Sequence, residues 1–600
     1  MRRVREVTMD NSGQMSALEY WRAAERVRLA NMTETITVRQ RQEILQARSA
    51  MDAEVEAVNL TLSSLRSRCN LLSSIGQLPT EVLVQIFEVL RLAEPPKRLS
   101  IGHYHPASLR SSYRIIGWFK VTHVCREWRN TALAYPSLWS EIPFTLGPGW
   151  RDEALRRSQT VPISIKWGGC NASMTHNNAE NVQDILVRHL KHTKELSLSA
   201  NAQDWPSLIP ALRGDAPMLE QAALISESNN GWLPGLPPAL FGQCAPCLRR
   251  LHLQGWIVSW SSQIMNFNLT HLTVELYFGS PRDFAGSFTD FLHLIARFQG
   301  LESLVLLHSM PVVFYTGTLQ ESYCPTVTIH LPRLRELVIS DDILSCAAFL
   351  KCVTVPSTTT HRIHCYLIGK PIEHIIPWVN SKIASVSSPI RKLAIVDMRP
   401  AGIHVKLWDE SLYNKDHGYF SGRETSPVLD LSITGSTWDH STRTLIQSVC
   451  DKLPLGSLKV LSIIDKDESW SAQDWLDTFR GLDKVSEVEI GLACAASFCE
   501  ALCKPDTPHL DGASSGAQPA NPLFPSLKSL IMTNVTFSQT LLRFIRDRTT
   551  LGPFERLKIK KSDVDDGMIE NLVKVIPIVE WDEIRSAFDS SGSDNDSGLM

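Results

Sequence analysis

Two short motifs contain residue types at spacings that could support chemistry. Residues 512–516, Gly-Ala-Ser-Ser-Gly, match the Gly-x-Ser-x-Gly pattern in which a tight turn presents a nucleophilic serine. That arrangement needs a buried strand before the serine and a helix after it, whereas Ser514 is flanked by the Pro, Asp and Ala residues of a surface loop. Cys244 and Cys247 have the spacing of zinc ligands or of a redox dithiol, but no second pair lies at a matching distance. We therefore predict a loop serine and structural thiols.

Histidine and carboxylate clusters are the other candidates for metal binding or acid–base chemistry. His361, His364 and Cys365 are close together in the sequence but far from the cysteine pair. The pairs Asp341-Asp342 and Asp565-Asp566 follow predicted strands, where solvated turn residues are expected. No Gly-rich phosphate loop of the Walker type is present. The sequence thus predicts no catalytic residue, no cofactor and no metal, and we expect a protein that is not an enzyme.

The overall composition is that of a soluble globular protein. The chain has 600 residues, 43% of them hydrophobic, and 60 basic residues against 63 acidic ones. This balance provides no general attraction to nucleic acid or to an anionic membrane, so neither is expected as a partner. No apolar run approaches the roughly 20 residues of a membrane span, and no apolar segment of a secretory signal follows the basic N-terminus. The 13 cysteines are scattered singly, which favours reduced thiols in the cytoplasm or nucleus.

A long helix is predicted before residue 74. Residues 15–72 lack proline, and the second half carries apolar residues that alternate by four and three, namely Met51, Val55, Val58, Leu62, Leu65, Cys69 and Leu72. Ile44 lies one heptad earlier, and Arg48 interrupts the pattern. Two interpretations remain open: a coiled coil that self-associates or binds a partner through residues 44–72, or an amphipathic helix folded back on the protein. Residues 1–14 are predicted to be disordered.

Two short amphipathic helices are predicted between Leu78 and Trp139. The first begins near Leu78-Pro79, because proline suits the first turn of a helix, and its apolar residues recur at helical spacing: Val82, Leu83, Ile86, Phe87 and Leu90. The second is predicted to run from Phe119 to Pro136 with one apolar stripe: Val121, Val124, Cys125, Trp128 and Ala132. Two such helices form too small a core to be stable alone, so their apolar faces predict a partner.

This order of residues resembles the F-box. In that family a Leu-Pro-x-Glu-(Val/Ile/Leu)-Leu-x-x-Ile-Phe helix precedes Val-(Cys/Ser)-(Arg/Lys)-x-Trp and then Pro-x-Leu-Trp. The resemblance covers about a tenth of the chain. It implies docking onto the Skp-family adaptor of a Skp–cullin–F-box ubiquitin ligase, with the cullin complex as a further partner. The residues implied for docking and its supporting packing are Leu78, Pro79, Val82, Ile86, Phe87, Val121, Cys125, Trp128, Leu138 and Trp139. Unlike the family, this chain has an insertion at 91–117, which we predict to be a solvated loop.

The rest of the chain, 160–580, carries an unevenly spaced repeat of the form Leu-x-x-Leu-x-Leu. Its copies are Leu248/Leu251/Leu253, Leu269/Leu272/Val274, Leu301/Leu304/Leu306, Leu334/Leu337/Ile339, Ile390/Leu393/Ile395, Val428/Leu431/Ile433, Leu458/Leu461/Ile463, Val485/Val488/Ile490, Leu527/Leu530/Met532 and Phe554/Leu557/Ile559. Weaker copies lie at Leu196/Leu198 and Ile363/Cys365. The last two aliphatic residues alternate on one face of a short strand, and the first closes the turn before it. Helical spacing between the strands, at about 21 to 42 residues per cycle, predicts an α/β solenoid.

This region resembles the leucine-rich-repeat domains that often follow an F-box. It lacks, in most copies, the Asn or Cys expected three residues after the strand, so we expect an irregular solenoid. The 16 tryptophans include several just past strands or in linking helices: Trp256, Trp260, Trp408, Trp438, Trp470, Trp475 and Trp581. Two interpretations remain open for them, filling of gaps between repeats and a recognition surface for another protein.

The expected fold is α/β, with an N-terminal helix or coiled coil (15–73), a small all-α F-box-like domain (74–143), and an irregular leucine-rich-repeat-like solenoid (160–580). An acidic disordered tail (582–600) is predicted at the end. The family resemblance, to F-box-like proteins of the fungal type, implies a substrate-recognition subunit that binds the adaptor through the F-box and a protein substrate through the repeats. The alternative is an adaptor-independent scaffold in which the F-box-like helices cap the solenoid.

Overall fold

A computed structural model describes most of the chain as two compact units, residues 1–139 and 140–600. The described residues are 15–33, 41–99, 113–168, 179–227, 233–260, 267–280, 286–313, 327–367, 372–385, 388–397, 402–410, 427–435, 442–466, 470–503, 523–551, 554–562 and 564–582. The disorder predicted for 1–14 and for most of 582–600 therefore lies outside them. Among the described helices, none is long and apolar enough to cross a membrane.

The first unit is mainly helical. Its α-helices are α1 (Ala17–Thr33), α2 (Arg41–Leu71), α3 (Thr80–Ala93) and α4 (Arg126–Ala134). Short 3-10 helices cover Ser74–Gln77, Gly117–His123 and Pro136–Trp139, and strands β1 (Lys97–Leu99) and β2 (Tyr113–Ile115) pair antiparallel. The region predicted as one long helix thus contains two described helices, and the segment 34–40 between them lies outside the description.

The helix predicted from Phe119 to Pro136 is wrong in its first half. Residues Gly117–His123 form a 3-10 helix, and the α-helix begins only after Cys125, whose sulfur accepts a hydrogen bond from the Trp128 N–H at 3.5 Å. Cys125 has an extended backbone and caps α4. Val124, predicted on the apolar stripe, is 57% exposed because it lies at the break between the two helices.

The second unit is a mixed α/β structure built on one large sheet, with a separate two-stranded sheet formed by Ile329–His330 and Val353–Thr354. Its strands are β3 (Glu141–Ile142), β4 (Ile163–Trp167), β5 (Thr193–Asn201), β6 (Gln221–Glu227), β7 (Arg250–Gln254), β8 (His271–Glu275), β9 (Ser303–Leu307), β10 (Ile329–His330), β11 (Glu336–Asp342), β12 (Val353–Thr354), β13 (Thr360–Tyr366), β14 (Ile390–Asp397), β15 (Gly402–Asp409), β16 (Leu429–Thr434), β17 (Val460–Ile464), β18 (Glu487–Gly491), β19 (Ser529–Thr533), β20 (Arg556–Lys560) and β21 (Ile578–Trp581). The α-helices are α5 (Pro148–Ser158), α6 (Ala179–His189), α7 (Trp205–Leu208), α8 (Phe288–Ala296), α9 (Ile343–Cys352), α10 (Ile376–Ser385), α11 (Thr442–Cys450), α12 (Ala472–Phe479), α13 (Ala495–Cys503), α14 (Gln539–Leu551) and α15 (Asp566–Val573). Short 3-10 helices cover Phe144–Leu146, Leu190–His192, Ala211–Arg213, Leu240–Gln243, Ile372–His374 and Leu492–Cys494.

Every copy of the predicted repeat forms a strand of this sheet, and the strands pair in register. Leu251 on β7 lies beside Leu272 on β8, which lies beside Leu304 on β9, so equivalent aliphatic residues form a continuous row. These side chains are almost completely buried, while the alternate residues on the other face stay partly exposed. The core of the unit is therefore the layer between this face of the sheet and the helices that follow the strands.

In six of the ten full copies, the first residue of the repeat closes a turn before the strand, as predicted. The N–H of Leu248 bonds to the Ala245 carbonyl at 3.1 Å, and that of Leu334 bonds to the Leu331 carbonyl at 3.2 Å. Pro246 occupies the second position of the first of these turns, where its fixed φ is favourable.

The order of the strands departs from the sequence order in the middle of the sheet. Strand β16 pairs parallel with β13, and β14 pairs parallel with β17, while β15 lies between β14 and β16 and is antiparallel to both. The sequence search missed β15 because Gly402 stands where the repeat has an aliphatic residue. A Cβ at Gly402 would come 2.4 Å from the Ile433 carbonyl oxygen, so this strand needs glycine there.

Strands β4 and β6 were also missed, together with the short or terminal strands β3 and β21. In β6 the buried position equivalent to a repeat leucine is Ala222, which the aliphatic pattern excludes. Strand β3 pairs with β4, so the sheet begins at Glu141, earlier than the predicted start at residue 160.

A pair of cysteine substitutions tests the reversed strand order. Ala394 on β14 and Lys406 on β15 are direct partners, whereas Arg362 on β13 is in the same row but two strands away from Lys406. We expect the variant Ala394→Cys/Lys406→Cys to form an intrachain disulfide under mild oxidation, since paired side chains on one face lie within disulfide reach. Peptide mass spectrometry would identify the bond.

The matched control is Ala394→Cys/Arg362→Cys, which should stay reduced. A disulfide in the control variant, without one in the first variant, would mean that β14 pairs with β13 in simple sequence order.

Candidate functional site

The two halves of the F-box-like motif pack together in the first unit. Phe87 of α3 contacts Trp128 of α4 edge to face, with ring centroids 5.2 Å apart, and the Ser137 hydroxyl donates to Glu88 at 2.9 Å. Behind these residues lies a buried aromatic group in which the Trp139 ring stacks on Phe119 at 5.2 Å. The sequence pattern did not single out Phe119 as a core residue, because it was taken only as the start of a helix.

The ends of the insertion hold the two halves in this arrangement. The described parts of residues 91–117 include β1 and β2, which pair and so bring the ends of the insertion together. The Trp118 N–H then donates to the Glu94 carbonyl at 2.8 Å. Gly117 has a φ of +58°, and a Cβ there would lie 2.4 Å from that carbonyl oxygen, so only glycine fits. The prediction of a solvated loop for 91–117 is wrong at both ends, because α3 continues to Ala93 and β1 and β2 pair; residues 100–112 lie outside the described residues.

The ten residues implied for adaptor docking fall into three groups by burial. Phe87, Val121, Leu138 and Trp139 are at most 3% exposed and pack inside the unit. Leu78, Ile86, Cys125 and Trp128 are half-buried, and Pro79 and Val82 are exposed. The first group supports the fold of the unit, and the other six are the ones a partner protein can reach.

An exposed apolar stripe on α3 extends this accessible group. Val82, Ile86 and Val89 follow one another at intervals of four and three residues, which places them on one side of the helix. We call these three residues the α3 stripe. Val89 is 65% exposed. It was not among the residues predicted for the single apolar face of this helix, so the sequence did not identify it. The stripe begins one turn after Leu78 and Pro79.

Among the described residues of the second unit, those with candidate chemistry do not come together. His361 and His364 are three positions apart on β13 and so point to opposite faces of the sheet. Cys244 and Cys247 are exposed free thiols. Among the described residues, no group of three or more His, Cys, Asp and Glu side chains could hold a metal ion. Ser514 and its motif lie outside the described residues.

The two aspartates at the end of β11 have structural roles. The Asp341 side chain accepts a hydrogen bond from the Met310 N–H at 3.2 Å and is completely buried, so the prediction of a solvated residue is wrong. Asp342 caps α9 by accepting from the N–H groups of Leu344 and Ser345 at 3.1 Å.

The tryptophans of the second unit mainly fill the interior and donate hydrogen bonds. The indole N–H of Trp256 bonds to the Leu224 carbonyl at 3.1 Å, and that of Trp260 bonds to the Ser309 carbonyl at 3.2 Å. Both rings are almost completely buried, as are those of Trp408, Trp470 and Trp475. Burial supports the gap-filling interpretation for these five, whereas Trp581 is only half-buried and Trp438 lies outside the described residues.

A cluster of aromatic and imidazole rings lies on the open side of the sheet, at the carboxyl ends of the strands. The Tyr366 ring lies 5.0 Å from Phe278, 5.2 Å from His308 and 4.5 Å from His364. We call these four residues the Phe278 cluster. Phe278 follows β8, His308 follows β9 and Tyr366 ends β13, so the common direction of the strands brings them to one edge. Phe278 is 67% exposed, which leaves an aromatic ring available to a partner.

Charged residues lie next to this cluster on the same face. Asp430 accepts a hydrogen bond from the His404 ring, and Arg362 lies 3.8 Å from the same carboxylate. Burial opposes ionisation of Asp430, but the hydrogen bond from His404 and the nearby cations outweigh it and lower the pKa of the carboxyl. Burial, with a contribution from His404, lowers the pKa of His364. The face therefore combines an exposed aromatic ring with charged and polar groups.

The sequence matches no known protein-family model, and no curated protein matches it.

The buried His361 predicts an acid-dependent loss of stability. Burial, with repulsion from Lys382, lowers the pKa of His361 to about 3 in the folded protein, against an ordinary value near 6.5. Because the unfolded chain then binds a proton that the folded chain cannot, stability is complete above about pH 6.5 and falls as the pH drops toward 3. The contribution is about 1.4 kcal/mol per pH unit within this window. We expect His361→Leu to reduce this pH dependence, measured as the urea midpoint between pH 7 and pH 5.

The exposed His330 provides the control for loss of a histidine as such, through the variant His330→Leu. An unchanged pH dependence in His361→Leu would contradict the assignment of this effect to His361.

Proposed function

We propose that this chain is the substrate-recognition subunit of a Skp–cullin–F-box type E3 ubiquitin ligase. The observation that carries the proposal is the packing of both halves of the F-box-like motif into one helical unit, with Phe87 against Trp128 at 5.2 Å and an apolar surface left accessible. Leu78, Pro79 and the α3 stripe would form the docking surface for the Skp-family adaptor. A few apolar side chains at the centre of such an interface provide most of its affinity.

In this role the chain acts by position and is not the catalyst. Binding of the adaptor and of a target protein by the same chain would hold the target near a ubiquitin-charged enzyme, which raises the effective concentration of the two reactants. Transfer of ubiquitin itself would take place on other subunits of the complex.

We also propose that the second unit is an irregular leucine-rich-repeat-like solenoid that binds the target. The parallel strands, their in-register aliphatic rows and the helices between them support this architecture. The antiparallel strand β15 would be the main irregularity. The Phe278 cluster, with the exposed ring of Phe278, is the part of the sheet that we propose for target binding.

The alternative function is an adaptor-independent scaffold in which the helices of the motif cap the repeats. The burial of Phe87, Val121, Leu138 and Trp139 is the observation that favours it, since it removes these four residues from the surface offered to an adaptor. The two functions differ in whether the accessible residues Leu78, Pro79 and Val82 bind the adaptor.

Substitutions at these accessible residues test adaptor binding. We expect Leu78→Ala/Pro79→Ala, and separately Val82→Glu, to weaken the affinity for a purified Skp-family adaptor at least about tenfold, because a lost apolar contact or a buried charge costs about 1–3 kcal/mol. Isothermal titration calorimetry would give the affinity, and circular dichroism would verify the fold.

Val27 on α1 is a more exposed valine outside the motif, 81% against 37% for Val82, so Val27→Glu is the control for an added surface charge. Full adaptor affinity in both motif variants, or no adaptor binding by the natural chain, would support the scaffold.

A second substitution tests the target-binding surface. We expect Phe278→Ala to reduce the co-purification of ubiquitinated target proteins at least about fivefold without loss of the adaptor, because a large exposed aromatic ring is a typical hot-spot residue. Val187→Ala on α6 removes an equally exposed apolar side chain, 66% against 67%, from a helix and is the control. Quantitative mass spectrometry of the co-purified proteins would compare the two variants. Equal target recovery from both would exclude the Phe278 cluster as the binding surface.

A further inference from the structure

Helix α2 carries an apolar face that no described part of the chain covers. The residues at alternating intervals of four and three are Met51, Val55, Val58, Leu62 and Leu65, followed by Cys69; we call these six the α2 seam. The five large apolar side chains among them are 40% to 64% exposed, and α2 has no buried residue in its 31 positions. Arg28 of α1 forms an ion pair with Glu54 of α2 at 2.9 Å. The α2 seam is exposed even though α1 lies beside α2.

The charges beside the seam have opposite signs at its two ends. Asp52 and Glu54 flank the first half of the seam, and Arg66 and Arg68 occupy the same heptad positions two heptads later. Asn59 and Thr61 lie between them and are uncharged. A helix with this distribution has an acidic end and a basic end, so it is complementary to itself when a second copy runs in the opposite direction.

An antiparallel pair centred on Leu60 matches both the apolar and the charged residues. In that register Val55 faces Leu65 of the second copy, and Val58 faces Leu62 of the second copy. Met51 faces Cys69 of the second copy, and the twofold symmetry repeats every contact.

The charged flanks agree with the same register. Asp52 lies near Arg66 of the second copy and Glu54 near Arg68 of the second copy. A carboxylate has several acceptor sites, so Glu54 can keep its bond to Arg28.

A parallel pair in register does not have this complementarity. It would place Arg48 against Arg48 of the second copy within the apolar layer, and two like charges at that position repel. The flanking residue opposite Asp52 would be Ala47, and that opposite Glu54 would be Asn59, so neither acid would meet a base. The antiparallel orientation alone sets all four charges beside opposite charges.

We propose that α2 is a self-association element, in which the α2 seams of two copies of this chain pack antiparallel. The proposal is independent of the function proposed above, because it rests on the seam and its flanking charges. If that function also holds, the dimer carries two adaptor-binding and two target-binding units, and a target with two binding segments gains avidity.

Charge reversal tests the register through recovery in a mixture. Variant one is Asp52→Arg and variant two is Arg66→Glu; both leave Glu54 and its bond to Arg28 in place. We expect the full-length natural chain to dimerise in sedimentation velocity experiments and each variant alone to dissociate at least about tenfold more readily, because like charges then meet across the seam. An equimolar mixture should recover dimers, because the arginine introduced at position 52 of one copy then meets the glutamate introduced at position 66 of the other. Differently tagged copies should then co-purify.

The mixture has two outcomes. Recovery supports the antiparallel pair, since the parallel register does not bring positions 52 and 66 together. A natural chain that is monomeric up to about 100 µM, well above the dissociation constant expected of a specific dimer, or a mixture no more dimeric than its components, would overturn the proposal.

Cross-linking tests the orientation with the native Cys69, which is an exposed free thiol. In a chain with Cys244 and Cys247 replaced by serine, Met51→Cys should form an oxidised dimer whose disulfide joins positions 51 and 69 of different copies. The control Met51→Cys/Cys69→Ser should stay uncross-linked, because position 51 then faces serine. A disulfide between two copies of Cys69 in the parent chain would show a parallel pair and contradict the antiparallel proposal.

Discussion

Each strand of the second unit has an apolar face that only its neighbours can cover, and the rest of the unit depends on that constraint. A strand of five residues such as β8 buries Leu272 and Val274, too little apolar surface to be stable alone. When β7 and β9 place leucines in the same row, the three strands share one dry layer. The hydrogen bonds between the strands then fix the register, since a shift of one residue would turn the leucines to the open face.

The same constraint explains how the sheet continues where the repeat pattern weakens. On β6, the small residue Ala222 occupies the position in the row that leucines occupy on the neighbouring strand. The indole N–H of Trp256 bonds to the carbonyl of Leu224, which is also on β6. Three residues past the last aliphatic position of their repeats, Trp256, Tyr277 and Ser309 all donate to carbonyls of preceding strands. These donors stand where a regular repeat has Asn or Cys, and their hydrogen bonds connect the turn after each strand to an earlier strand.

The first unit solves a similar problem on a smaller scale. One side of α3 buries Leu83 and Phe87 against the rest of the motif, while Val82 and Val89 remain exposed. Because of this division, the unit folds around its own aromatic group and leaves an apolar surface accessible. The difference in burial also distinguishes two kinds of residue that the sequence motif does not distinguish. Buried residues stabilise the unit, and exposed residues are accessible to another protein.

The sequence by itself determined the strands that follow the Leu-x-x-Leu-x-Leu pattern, six of the turns before them and the helix that begins after Pro79. These features depend on the spacing of nearby residues, which short-range geometry converts directly into a strand, a turn or a helix. Tertiary structure alone decided the pairing of β16 with β13, the insertion of β15, the burial of Asp341 and the meeting of Phe278, His308 and Tyr366 at one edge. Each of these depends on contacts between residues tens of positions apart, and residue spacing within a short segment carries no information about which distant strand becomes its neighbour.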